Sequence, residues 1–395
     1  MPGLLEGIRV LDFTIAQQGP YATALLADMG AEVIKIEEPG KGEVGRVLGV
    51  ERKTGFSAYF LAINRGKKSL TLNLKSPKGR DVALRLARDC DVVVHNFRPG
   101  VMEKLGLGYD DIRTANAQVV YAAASAFGTK GPLGDKPGND ILAQAMSGLM
   151  SVTGDGEAPV PAGTAVADSF GALTLALGIV SALVHRERTG VGQALETSLL
   201  GGLLVMQGWE LTLHMMTGEN PPKAGRGHTY LLWQWYTFQT ADGWIAVGGV
   251  DPSRWTAFCH AIGRPELETD PRFDSAGKRI RDRHELNALL DAHFSTQPTA
   301  HWLRALESAD IFCAPVLDYA EVTSHEQIRA NGYVQEMAHP KMGQMRIVPC
   351  PIDFKGTPAD STRPEPTLGQ HSDEVLREFG YSDGEIEEMR RAAIT

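Results

Sequence analysis

Short apolar runs alternate with amphipathic stretches along the first third of the chain. "IRVLDFT" (residues 8–14) reads as a buried strand, and "PYATALLADMG" (20–30) as a helix, with Pro20 at its start and Gly30 at its stop. "AEVIKIE" (31–37) predicts a second strand. "SPKGRDVALRLARDC" (76–90) has helical amphipathicity, "DVVVHNF" (91–97) predicts a third strand and "QVVYAAASAFG" (118–128) a fourth. Strands of this kind separated by helices predict a parallel sheet covered on both faces. Ligands of such sheets sit beyond the carboxyl ends of the strands, which selects Gln17, Gln18, Glu37, Glu38, residues 96–98 and residues 125–128 as rim positions.

The texture changes after residue 200. "HMMTGENPPKAGRGHTY" is rich in Gly and Pro and predicts a linker. "WQWYTFQT" and "GWIAVGGV", joined by "ADG", predict a strand pair. Amphipathic helices follow around "SRWTAFCHAIG", "RHELNALLDAHF" and "TAHWLRALESAD", and "DGEIEEMRRAAI" predicts a C-terminal helix. The expected organisation is a large domain over 1–200, a linker over 201–227, a small α+β domain over 228–325, and a linker with a return to the large domain over 326–395.

Composition narrows the classes of function. The 395 residues are 43% hydrophobic and 22% charged, which is ordinary for a globular protein. A formal net charge of -9 disfavours a nucleic-acid partner, while leaving room for a local basic cluster that holds a small anion. Cys90, Cys259, Cys313 and Cys350 form no C-x-x-C, so neither a zinc site nor a redox pair is expected, and a reducing cytoplasm is. "MPGLLEGIRVLDFT" does not read as a secretory signal. The uncharged run 170–184 is shorter than the ~20 residues a membrane span needs. It predicts instead a helix that is apolar all round and buried, with no membrane partner.

Within "AGTAVADSFGALTLALG" a single acid, Asp168, opens that apolar helix. It reads as a helix cap, or as a carboxylate kept ionised by the helix N-terminus and able to attack an activated acyl group. "HNFRPG" sets Asn96 and Arg98 just beyond a strand. Arg98 is either a solvated turn residue or a fork for a phosphate or carboxylate, with Lys67, Lys68, Lys75 and Lys104 adding positive charge nearby. In "KPGNDILAQ", Asn139 and Asp140 cap a helix or position substrate. "VGGVDP" makes Gly248 and Gly249 a plain turn or a pair of backbone donors for an oxyanion. Trp233, Trp235, Tyr236 and Trp244 are expected in a core, with an acyl pocket as the alternative, and Arg226 and His228 are candidates for an acceptor carboxylate. No G-x-G-x-x-G follows the first strand, so NAD is not expected. The sequence also lacks a P-loop, G-x-S-x-G and H-E-x-x-H.

"LDFTIAQQGPYATALLADMGAEVIKIE", "NRGKKSLTLNLKSPKGR", "VVVHNFRPGVMEKLGLGYDDI", "ADSFGALTLALGIVSALVHRERTGVGQ" and "PTLGQHSDEVLREFGYSDGEI", in this order over nearly the whole chain, resemble the class III CoA-transferases, the family of formyl-CoA:oxalate and carnitine CoA-transferases. The resemblance implies a Rossmann-like large domain whose parallel sheet is formed from both chain ends, a smaller central domain, and an interlocked homodimer. Coenzyme A, as an acyl-CoA thioester, would be a substrate together with a small carboxylic acid, with no metal and no NAD. Asp168 takes the nucleophile's place and Asp140 an acidic position beside it, and Gln17 borders the thioester. Leu72 and Lys75 would meet the adenine end, and Asn96, Phe97, Arg98 and Lys104 the nucleotide and pantetheine. Gly248 and Gly249 would serve the oxyanion. Two departures stand out: Glu38 replaces a basic residue of some members, and "VGGVD" is shorter than the glycine loop of others. The α-methylacyl-CoA racemases share the fold, but their "GHD" falls on Gly138, Asn139 and Asp140, so the His base is missing. A non-catalytic acyl-CoA-binding protein is the alternative outside enzymes.

Overall fold

A computed structural model describes residues 3–395. The chain divides into two compact units. The first holds residues up to Ser147, Gly163–Met206 and Glu326–Thr395, and the second holds Gly148–Ala162 and Gln207–His325.

The first unit is built on a six-stranded sheet in which every neighbouring pair is parallel. Its strands are β1 (Arg9–Asp12), β2 (Glu32–Glu37), β3 (Lys68–Thr71), β4 (Val92–His95), β5 (Val120–Ser125) and β6 (Gln193–Ser198), in the order β3-β2-β1-β4-β5-β6. Alternating side chains of these strands feed two apolar layers. Leu11, Ile34, Leu70 and Val93 pack with Val82 and Leu86 of helix Pro77–Arg88 on one face. Val10, Val33, Val92 and Val120 pack on the other with Leu26 of helix Gln18–Asp28 and Leu175 and Ile179 of helix Val166–Thr189. The strand order reverses between β1 and β4, and the crevice at their carboxyl ends is where such sheets bind ligands.

The first four predicted strands are β1, β2, β4 and β5. Two strands were not predicted, and they are the two edges of the sheet: β3, "KSLT", and β6, "QALETS". Edge strands carry polar residues because half of their backbone groups face away from the sheet.

The sheet is not formed from both chain ends. All its strands precede residue 199, and the C-terminal return adds helices instead, Ser372–Glu378 and Asp383–Arg391. Their Val375, Leu376, Ile386 and Met389 join the layer that holds Leu70. The tail also dresses β3: Ser69 N–H donates to His371 Nδ1 (3.1 Å), and His371 N–H donates to the Ser69 carbonyl (3.0 Å). Between β6 and these helices, Gln335–His339 and Gly343–Ile347 form a separate antiparallel hairpin.

Residues 201–227, expected as linker, contain two helices, Leu199–Met206 and Gly208–Thr217, and only the stretch beyond Gly218 is irregular. Helix Val166–Thr189 is long and apolar enough, by length and composition, to cross a membrane. It is not buried all round, however. One side lies on the sheet, whereas Leu173, Leu177 and Val184 are 51%, 67% and 44% exposed.

The second unit has a three-stranded antiparallel sheet, Trp235–Gln239, Trp244–Gly248 and Cys313–Pro315. Phe238, Ile245, Phe258, Leu290, Phe294 and Trp302 are fully buried between that sheet and helices Trp255–Ala261, Arg283–Phe294 and Thr299–Ser308. Trp233, Trp235 and Trp244, expected in this core, are exposed in the chain, because they lie outside the strand face that carries Phe238 and Ile245.

Candidate active site

Asp168 lies in the first turn of helix Val166–Thr189 but does not cap it. The helix is capped from a distance. Asp140 Oδ1 accepts from the N–H groups of Ala167 (2.7 Å) and Asp168 (3.1 Å), and Asp140 Oδ2 accepts from Gln144 Nε2 (2.5 Å). Asn139 in turn caps helix Asp140–Met146 through the N–H of Leu142. The donors that would stabilise a negative charge at this helix end therefore belong to Asp140.

The Asp168 carboxyl is pushed up to about 6, first by burial and then by the charge of Asp140, with the nearby Gln18 N–H opposing both. This reverses the expectation that the helix N-terminus holds it strongly ionised. The carboxylate still predominates at neutral pH, and it is more basic than an ordinary Asp. Tyr59, which the sequence reading passed over, is half-buried close by; burial and then the charges of Asp168 and Glu43 raise its phenol. Nothing in "SAYFLAINRG" marks Tyr59, since its position comes from the tertiary fold.

The carboxylate opens into a cleft of about 470 Å³ beyond β1, β4 and β5. Among its lining residues are Gln18, Asn96, Phe97, Arg98 and Asn139. The loop after β1 is held rigidly there. Asn96 clamps it with both ends of its amide, accepting from Ile15 N–H (2.8 Å) and donating to Ile15 C=O (2.7 Å). Ala16 has a left-handed backbone (φ 61°), and its N–H donates to the buried Glu43 Oε2 (3.0 Å). Gln17 follows, its Nε2 3.4 Å from Ser169 Oγ. Beneath the loop, Lys35 Nζ donates to the Thr14 carbonyl (2.8 Å). Lys67 Nζ is shared among Asp12 Oδ2 (3.0 Å), the Pro20 carbonyl (2.9 Å) and Asn64 Oδ1 (2.8 Å).

The family described as "CoA-transferase family III" matches residues 5–372 of this sequence. The chain belongs to that family. It is 34% identical over 388 residues to a succinyl-CoA:glutarate CoA-transferase of Mus musculus, covering 98% of this chain and 88% of that one. It is 36% identical over 380 residues to an acetyl-CoA:oxalate CoA-transferase of Acetobacter aceti, covering 95% and 96% of the two. Among solved structures it resembles a CAIB/BAIF family protein from Brucella suis, with a TM-score of 0.87, 28% identity and coverage of 96% and 100%. Rv3272 from M. tuberculosis is similar too, with a TM-score of 0.83, 32% identity and coverage of 94% and 99%.

In this CoA-transferase the other expected site residues divide sharply. Arg98 is exposed on the cleft and makes no ion pair among the described residues. Lys104 is exposed on the short helix Val101–Lys104. Leu72 is core, 1% exposed, and its N–H already donates to the Glu37 carbonyl, so it is not open to a ligand. Lys75 is held by Glu38 (2.9 Å), which draws on the very acid that departs from the family pattern. The expected run of positive charge does not assemble. Lys67 is buried against Asp12, and Lys68 pairs with Glu32, Glu374 and Glu378 at the amino end of the sheet, away from the rim.

Gly248 and Gly249 belong to the second unit. The Gly248 N–H already donates to the Phe312 carbonyl (2.8 Å), which removes it as an oxyanion donor; Gly249 turns the chain with φ +84°. Arg226 and His228 are also engaged. Arg226 forks onto Asp291 and stacks on Tyr236. His228 Nδ1 accepts two backbone N–H groups, so the ring proton sits on Nε2, 3.1 Å from Glu210 Oε1. Among the described residues no His, Cys, Asp and Glu cluster is gathered as for a metal ion.

Proposed function

We propose that this CoA-transferase moves CoA from an acyl-CoA thioester to a free carboxylic acid through covalent intermediates on Asp168. The observation that carries the reading is the division of labour at one helix end. Asp140 takes the capping bonds, and Asp168 is left partly desolvated, raised to about 6 and open to the cleft. Asp168 attacks the thioester carbonyl, giving an aspartyl mixed anhydride and CoA thiolate. The thiolate attacks the aspartyl carbonyl, releasing the donor acid and leaving an aspartyl-CoA thioester. The acceptor carboxylate then displaces CoA to form a second anhydride, and the thiolate takes the acceptor acyl group away. One thioester replaces another, so the main demand on the site is to keep water from the activated aspartyl group. Asn139 supports transfer over racemisation, because its side chain caps a helix and has no acid–base group that ionises near neutrality.

The relatives' names include succinyl-CoA with glutarate and acetyl-CoA with oxalate, and both acceptors are dicarboxylic acids. A dicarboxylic acceptor is therefore part of the proposal. So is CoA lying along the rim of the first unit near Phe97 and Arg98, whose guanidinium is available to an anion. A homodimer in a reducing cytoplasm completes it, and the exposed apolar side of helix Val166–Thr189 supports a second copy as its cover.

The test is mass spectrometry of the protein mixed with succinyl-CoA or acetyl-CoA. The peptide carrying Asp168 should gain acyl or CoA mass. Asp168→Ala should gain neither and should lose turnover by a factor of about a thousand or more, while still binding CoA. Unmodified Asp168 across a panel of thioesters, or turnover by the Ala variant, defeats the reading.

A further inference from the structure

Gln18 is only 4% exposed, yet its side-chain nitrogen Nε2 has no hydrogen-bond partner. A buried donor without an acceptor is unfavourable and asks for a reason. The surroundings of this one suggest it. Nε2 lies against Gly171, where a Cβ would come within 2.8 Å of it, so the glycine makes the space that the amide occupies. Gly171 is one turn beyond Asp168, and residues three apart share a helix face. The amide thus lies along the side of helix Val166–Thr189 that bears the carboxylate. The backbone N–H of the same Gln18 faces that carboxylate closely enough to oppose the rise in its pKa. Gln18 also lines the cleft.

Its backbone cannot drift. Gln18 opens helix Gln18–Asp28, and the loop before it is fixed by Asn96 on Ile15 and by Glu43 on Ala16. One residue therefore brings two preorganised donors to the same helix face, a backbone N–H and an amide nitrogen that is idle in the resting protein.

We propose that Gln18 forms the oxyanion site for the carbonyl of Asp168 itself, its idle Nε2 being the donor that engages when Asp168 Cγ becomes tetrahedral. This rests on the covalent reading given above. In the first step the charge develops on the substrate's own carbonyl oxygen, and Gln18 is not required. In the second, the CoA sulfur bonds to Asp168 Cγ and the carbonyl electron pair moves onto Oδ. The pair returns as the Cγ–O bond to the donor acyl group breaks, and the donor acid leaves as carboxylate. In the third, an oxygen of the acceptor carboxylate bonds to Cγ, the same Oδ takes the charge, and CoA leaves as thiolate when the Cγ–S bond breaks. Both middle steps load the same oxygen, so one fixed pair of donors serves each.

Gln18→Met keeps the bulk and removes the donor; Gln18→Ala removes both. Each is mixed with succinyl-CoA, quenched, and weighed at the Asp168 peptide, and steady-state transfer to glutarate is measured alongside. The expected result is a kcat lowered by about a hundredfold in both variants, with KM for the thioester and affinity for CoA as in wild type. Acyl mass on Asp168 should build up at the expense of CoA mass. Wild-type kcat with an unchanged ratio of the two adducts overturns the proposal. Equal loss of CoA affinity and turnover in both variants also overturns it, since that assigns Gln18 to packing. Failure of the covalent reading shows separately, as absence of any adduct on wild-type Asp168.

Discussion

Asp140 and Asp168 meet at the N-terminus of one helix, and only Asp140 receives its free N–H groups. Its charge, added to burial, keeps Asp168 near 6. On the proposed mechanism Asp168 must be ionised to attack, so kcat/KM should rise with pH through about 6 and level off above it. Asp140→Asn keeps an oxygen for the two backbone donors but removes the neighbouring charge. The acid limb of its pH profile should therefore move to lower pH, and an unmoved limb would show that burial alone sets the value. The sequence made Asp168 and Asp140 visible as acids at helix starts, but not which of them caps. That depends on a contact 28 residues apart in the chain. The same holds for Lys67, Lys68 and Lys75, whose spacing suggested an anion site. Their carboxylate partners come from other strands and from the C-terminal helices, and sequence spacing cannot assign them.

At the scale of elements, the loop after β1 is the part on which the site depends, and buried charge secures it. Burial works against the Asp12 charge, but Lys67 and Lys35 overcome it and hold the carboxyl at about 2; burial draws the Lys67 ammonium down to about 8. Removing one partner of such a pair strands the other. Lys67→Met should lower unfolding free energy by about 3 kcal/mol, measured by urea denaturation, and should reduce transfer because the Gln17–Gln18 backbone loses its support. An unchanged midpoint would mean that Lys35 alone suffices. Strands were legible where both faces are covered, as in β1, β2, β4 and β5, and amphipathic helices were legible from their apolar faces. Strands were obscured at the open edges of the sheet. β6 mixes Glu196 and Thr197 with apolar residues because it is an edge, and "GGLLVMQGWELTLHMMT" hides two helices behind its glycines.

At the scale of the molecule, helix Val166–Thr189 carries Asp168, the proposed nucleophile, at one end and exposes Leu173, Leu177 and Val184 along its outer side. A second copy covering that side would bury it close to Asp168. Leu177→Glu should therefore shift the protein toward monomer in light scattering at micromolar concentration, with a loss of transfer that follows the monomer fraction. Monodisperse wild-type monomer would remove the homodimer from the proposal.

β3 receives its covering partner His371 from 302 residues further along the chain. At ribosomal rates of roughly 5–20 residues per second, that interval lasts on the order of 15–60 s. During it the Leu70 edge of the growing sheet stands open to other nascent chains, so the newborn enzyme has its greatest need of a chaperone late in translation, after helix Val166–Thr189 is already made.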